Sequence, residues 1–355
     1  MKSSCPTSTS VLLLPLLLSY LPYCIAQSTN STFPKRGLCY IGTDSSERDA
    51  SIFTHENSPL TWYYNYSPWP GPSSSLARWT TEFVPMVHSA SDAHAAVDTI
   101  QSILNGSLNV GIASSPSSRR GNHIQHVLTF NEPDGDTSSG GSDSSPSHAA
   151  QVWLDTIAPL RAPPYNLRVS LPATTGSGRG LEWLRDFNAS CYRLNRMAGC
   201  AFDFVAAHWY GDFVGLSSWL GQLREVYPDK PIWVTEFAIP SVTDDETEAF
   251  MNQSLPYLDG LDYVDRYSWF GAFREDEANE WTGDAVSLFD RHGGLTDLGA
   301  LWMGGLQNGF EEGTSAGDDD DDDGGGGGDS GGGVLRWDSR LLVLWLVIGI
   351  MGYIW

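Results

Sequence analysis

Short apolar runs recur through the middle of the chain, and each reads as continuously hydrophobic, the pattern of strands covered on both faces. They cover residues 37–42, 60–66, 82–88, 126–132, 168–175, 204–211, 231–238 and 264–272. Between them lie stretches with helical spacing at 91–104, 146–160, 180–196, 216–227, 243–258 and 295–304. Ser147 or Pro146 opens the second of these, and Thr243 followed by Glu246 makes a capping box for the fifth. Strand and helix alternate, which predicts an α/β fold, and eight strand runs is the number a closed parallel barrel requires. A single (β/α)8 TIM barrel is therefore expected over residues 35–310, with no internal repeat. Two Ser- and Gly-rich loops interrupt it, at 113–122 and 135–147, and the second follows the fourth run.

The patterning outside this unit is different. Lys2 precedes the apolar stretch 11–18, and Cys24-Ile25-Ala26 offers small residues for cleavage, so residues 1–26 read as a signal peptide. Residues 311–333, rich in Gly and Asp, lack the apolar side chains for a core and are expected to form a disordered, self-repelling acidic stalk. The block 341–355 is too short to span a bilayer comfortably. Small residues at Ser330-Gly331-Gly332, a polar spacer and a terminal apolar tail make residues 334–355 a GPI-attachment signal, with Ser330 as the attachment site; a short single-pass anchor is the alternative. Either places the barrel outside the cell, secreted and held at the plasma membrane or in the wall, touching the membrane through the anchor alone.

That compartment changes how other residues read. Asn30, Asn105, Asn188 and Asn252 become candidate glycosylation sites. Cys5 and Cys24 leave with the signal peptide, so Cys191 and Cys200, close in sequence and in an oxidising environment, form the expected disulfide. Cys39, inside an apolar run, is expected to be a buried free thiol. A formal charge of −23 makes nucleic acid and anionic membranes poor partners and a neutral polysaccharide an easy one. The sequence does not disclose an oligomeric state, and a monomer is the expectation.

Chemistry concentrates at the ends of the runs, where a barrel keeps its active site. The fourth ends Asn131-Glu132-Pro133-Asp134 and the seventh ends Val234-Thr235-Glu236-Phe237, so each delivers a carboxylate. Hydrolysis of a glycosidic bond with retention needs two such groups about 5–5.5 Å apart, one to protonate the leaving oxygen and one to attack carbon. In the sixth run, His208-Trp209-Tyr210-Gly211, a period of two puts His208 and Tyr210 on one face: Tyr210 would hold the nucleophile and His208 would reach a sugar hydroxyl. Trp269 near the end of the eighth run is a candidate sugar platform, with core packing as the competing reading. Asn65, at the end of the second run, is a candidate substrate ligand or a turn residue before Pro68, and in the first case it cannot also carry a glycan.

Taken together, Asn131-Glu132-Pro133-Asp134, Thr235-Glu236-Phe237-Ala238, Trp62-Tyr63-Tyr64-Asn65, Phe83-Val84-Pro85-Met86 and His208-Trp209-Tyr210-Gly211 resemble glycoside hydrolase family 128, fungal-type β-1,3-glucanases of clan A with an alkali-sensitive-linkage-like catalytic domain. The resemblance implies a retaining hydrolase of β-1,3-glucan, an endo-glucanase remodelling the cell wall, with Glu132 as acid/base, Glu236 as nucleophile and Asn131 orienting the 2-hydroxyl. It also implies that no cofactor and no metal take part. The family pattern closes the third strand on an aromatic after Pro-Met, whereas this chain has Val87-His88, which leaves chain-length preference open. A transglycosylase, a non-catalytic glucan-binding protein and a structural wall protein whose stalk matters most are the competing functions.

Overall fold

The computed structural model describes residues 35–71, 81–108, 110 and 124–316. The signal peptide, Asn30, the loop at 113–122, residues 317–333 of the stalk, Ser330 among them, and the terminal tail lie outside the described residues.

Eight parallel strands form one sheet: β1 Arg36–Tyr40, β2 Trp62–Tyr64, β3 Glu82–Phe83, β4 His126–Val127, β5 Arg168–Leu171, β6 Phe204–Tyr210, β7 Ile232–Ala238 and β8 Val264–Ala272. Their order is β3-β2-β1-β8-β7-β6-β5-β4, and a parallel bridge between Met86 and Leu128 joins the two outermost strands into a barrel. This is the (β/α)8 architecture. The ladders of β3 and β4 are shorter than the apolar runs 82–88 and 126–132, because Pro85 has no N–H to donate; its carbonyl still accepts from Leu128 N at 2.9 Å.

Side chains leave each strand alternately toward the barrel interior and toward the surrounding helices. Cys39, Trp62, Tyr64, Val84, Met86, Leu128, Ala173, Phe204, Ala206 and Trp233 fill the interior. Leu38, Tyr63, Val205, Val234 and Phe237 face outward, against helices such as Gly178–Leu194 and Asp244–Gly260. At the N-terminal end the barrel is plugged by an ion cluster: Glu82 accepts from Arg266 Nη2 at 2.6 Å and pairs with His126 Nδ1 at 2.7 Å. The Arg266 guanidinium lies 4.2 Å from the centroid of Trp233.

Helix ends follow local chemistry. Thr243 and Glu246 form the expected capping box, but Ser145, rather than Ser147 or Pro146, caps the helix Pro146–Val152, with Pro146 in its first turn. That helix runs on as a π turn, Trp153–Ile157, and a 3-10 turn, Ala158–Arg161, instead of staying α-helical to residue 160. Cys191 and Cys200 are disulfide-bonded, and Cys39 is a buried free thiol. The folded body extends past the expected boundary at 310: Leu295 N donates to Thr314 O at 2.9 Å, and Gly294 bridges Ser315.

Candidate active site

A bulge in β7 decides where Glu236 points. Ala207 of β6 pairs with Val234 but His208 pairs with Glu236, and on the other side Val234 pairs with Tyr267 but Phe237 with Trp269. One extra residue is thus accommodated in β7. Simple alternation from the inward Trp233 would turn Glu236 outward; the bulge resets the phase, and Glu236 enters the barrel mouth while Phe237 joins the outer core.

Glu132 is brought in by a strained backbone. Its φ is 39°, in a region that non-glycine residues seldom occupy. Three hydrogen bonds hold it there: its N–H donates to Ala173 O at 2.7 Å, and its carbonyl accepts from Gly135 N at 2.8 Å and Ser142 N at 3.2 Å. Gly141 lies so close that a Cβ there would sit 2.8 Å from Glu132 O, so only glycine lets the lip after β4 pack onto this turn. Backbone strain held by surrounding contacts is a common mark of a functional position.

The two carboxylates converge on one imidazole. His208 Nδ1 lies 2.9 Å from Glu132 Oε1 and Nε2 lies 3.3 Å from Glu236 Oε1, the second contact too bent to count as a hydrogen bond. One ligand atom from each of Glu132, His208 and Glu236 can be chosen so that all three lie within 4.8 Å of one another. Two phenols complete the grip on Glu236: Tyr66 donates to Oε1 at 2.7 Å and Tyr210 to Oε2 at 2.6 Å. Tyr64 spans Thr235 O at 2.9 Å and Glu236 Oε1 at 3.5 Å, while Cys39 Sγ sits 3.1 Å from the Tyr66 hydroxyl.

Burial pushes the Glu236 carboxyl above its ordinary value and the neighbouring Glu132 charge adds to this, against the opposing pull of His208, Tyr210 and Tyr66. For His208 burial works against the charged form, yet the Glu236 and Glu132 carboxylates prevail and raise its pKa. Both acids thus draw a proton toward the imidazole that lies between them. These three side chains are also the one group of acidic and imidazole ligands among the described residues close enough to hold a cation. A cation there would require His208 in its neutral form, because a ligating imidazole must be neutral.

Several expected site residues move. His208 is fully buried and bridges the carboxylates instead of reaching for a sugar hydroxyl. Asn65 sits in a turn: its Nδ2 donates to Trp69 O at 2.8 Å, and its Oδ1 is buried without a partner. Trp269 is core and not a platform. It is 1% exposed, donates to Val286 O at 2.8 Å, and packs edge-on against Phe237. Its neighbour Phe270, half-buried, packs against the inner cluster and lies 5.6 Å from the Tyr210 ring. Asn131 is buried beside Glu132, with Nδ2 donating to Gly140 O at 3.1 Å and Oδ1 unpartnered. The sequence reading missed Tyr66, which lies past the end of β2. Asn105, Asn188 and Asn252 are all exposed.

A family described as "Glycosyl hydrolase catalytic core" matches residues 37–302. Alkali-sensitive linkage protein 1 of Schizosaccharomyces pombe is 31% identical over 282 residues, which is 77% of this chain. The chain spans only 45% of that relative's length. Among solved structures, a family 128 (subgroup II) endo-β-1,3-glucanase from Pseudomonas viridiflava is 26% identical with a TM-score of 0.57, covering 77% of this chain and 98% of its own. A family 128 (subgroup VI) exo-β-1,3-glucanase from Aureobasidium namibiae shares the fold at 20% identity and a TM-score of 0.58, covering 76% and 95%.

Proposed function

The chain belongs to the glycosyl hydrolase catalytic-core family, as a glycoside hydrolase of family 128, and from that premise we propose that it cleaves β-1,3-glucan with retention, using Glu132 as acid/base and Glu236 as nucleophile. The observation that carries the reading is that one carboxylate oxygen of Glu132 and one of Glu236 lie within 4.8 Å of each other. Inverting enzymes keep their carboxyls about 6.5–9.5 Å apart to admit a water, whereas a retaining pair stands at about 5–5.5 Å.

In the first step a Glu236 oxygen bonds to the anomeric carbon as the glycosidic C–O bond breaks, and the Glu132 proton goes to the departing oxygen. In the second, water attacks the same carbon, its proton passes to Glu132, and Glu236 leaves as carboxylate. Tyr66 and Tyr210 serve the ionised nucleophile, because a phenol donating to a carboxylate favours its charged form. His208 holds the two acids in register. Asn131, with its free Oδ1 next to Glu132, suits a sugar hydroxyl at the scissile bond. The signals read at residues 1–26 and 334–355 support placing the reaction at the cell surface, on wall glucan.

Reducing-end release from laminarin by the purified protein, with proton NMR of the first product formed, tests this. Wild type should release the β-anomer, and E132Q and E236Q should each lose at least about 1000-fold in kcat/KM. Initial α-product would refute retention, and glucan binding without release in wild type would make the protein a glucan-binding module. Longer products at high oligosaccharide concentration would show transfer to sugar competing with transfer to water.

A further inference from the structure

The mouth of the barrel carries an aromatic side chain that the two-step chemistry leaves unused. Trp281 exposes 57% of its surface, a large apolar area to leave in water. Its backbone is nonetheless fixed. The Trp281 and Thr282 N–H groups both donate to Asn279 Oδ1, at 3.0 and 2.9 Å, and Ser241 Oγ donates to Trp281 O at 2.9 Å. Ser241 N also donates to Thr282 O at 2.9 Å, so the loop after β8 is stitched to the loop after β7, the strand that delivers Glu236.

The indole is aimed as well as anchored. Its ring centroid lies 4.7 Å from that of Tyr210, at 64°, and the Tyr210 hydroxyl lies 2.6 Å from Glu236 Oε2. Phe270 packs on Tyr210 as well, at 5.6 Å and 76°. An aromatic path therefore leads from the nucleophile through one phenol ring to an open indole face. Pyranose rings present patches of axial C–H groups, and a rigid, exposed aromatic surface takes such patches at small conformational cost.

We propose that Trp281 is a stacking platform for a glucosyl unit adjoining the one attacked by Glu236, and that it sets the chain-length preference of the enzyme. The inference rests on the β-1,3-glucan reading above. A side chain that only shields Tyr210 would need burial against it, and Trp281 is instead more exposed than not.

The test compares W281A, W281F and wild type on laminari-oligosaccharides of two to six units. For W281A, kcat/KM on the hexaose should fall roughly 10-fold, carried mainly by KM, and the loss should shrink toward the disaccharide. W281F should recover most of it, and the pH profile should not move. An equal loss at every length, a displaced pH profile, or no loss at any length overturns the platform. Calorimetric binding of laminarihexaose to E236Q and to E236Q/W281A separates this from the parent reading: tenfold weaker binding in the double variant supports the platform even where wild type shows no turnover. Equal binding by the two, or no binding by either, overturns it.

Discussion

Glu236 is held by two phenols and faced by the His208 imidazole, and the balance among them sets the pH at which the proposed nucleophile is ionised. Burial raises its pKa, while Tyr210 and Tyr66 lower it by donating to the charged form. Removing the Tyr210 hydroxyl therefore raises it further, and because attack needs the carboxylate, Y210F should shift the acidic limb of the kcat/KM profile on laminarin to higher pH. A hydrogen bond to a charged group is worth about 1.5–3 kcal/mol, so the rate on the plateau should also drop by roughly 10- to 100-fold. An unmoved acidic limb would show that Tyr210 does not tune Glu236. Tyr210 and His208 were legible in the sequence because a regular strand with period two put both on one face. Tyr66 was not, since it lies beyond the end of β2 with φ 59°, where alternation no longer says which way a side chain turns. Trp269 stood between two readings for another reason: an aromatic near a strand end reads alike whether it meets sugar or core, and only the fold shows Ser268 and Phe270 facing inward in its place.

At the scale of elements, what the sequence disclosed was local and what it hid was pairwise. The Thr243–Glu246 capping box needs only residues three apart, and it formed as read. The β7 bulge depends on how β7 registers against both β6 and β8, so no pattern within β7 alone reveals it. The same is true of the ion cluster at the barrel floor, where Glu82 from β3, His126 from β4 and Arg266 from β8 meet only once the sheet has curled. Burial opposes ionisation of Glu82, yet His126 and Arg266 win and hold its carboxyl below the ordinary value of 4.5. A depressed folded-state pKa stabilises the fold above the unfolded value and loses that contribution as pH falls through the folded one. E82Q should accordingly cost about 3–5 kcal/mol in denaturant unfolding at pH 7, with Arg266 left unpaired. The gap to wild type should close as the pH drops below 4.5, toward the folded-state value. A gap that stays constant through that range would mean the cost comes from packing and not from charge.

For the whole molecule, fold class was the most legible feature, since eight covered strands separated by helical stretches leave few architectures to choose from. The acidic balance has a consequence at the same scale. With 43 acidic against 20 basic residues, the chain carries a strongly negative formal charge, part of it in the Asp run 318–323. A neutral β-1,3-glucan feels almost none of it, so turnover of laminarin should change little between about 10 mM and 150 mM salt, over which the Debye length contracts from roughly 30 to 8 Å. A carboxymethylated β-1,3-glucan offers the same backbone with negative charge added, and it should be cleaved slowly at low salt and faster as screening rises. The pair of substrates separates the field of the protein from the chemistry of the site, because both present the same bond to Glu132 and Glu236. Equal salt responses for the two would show that the acidic surface lies too far from the mouth to discriminate, and would shift the basis of selectivity onto the aromatic and polar side chains around Tyr210.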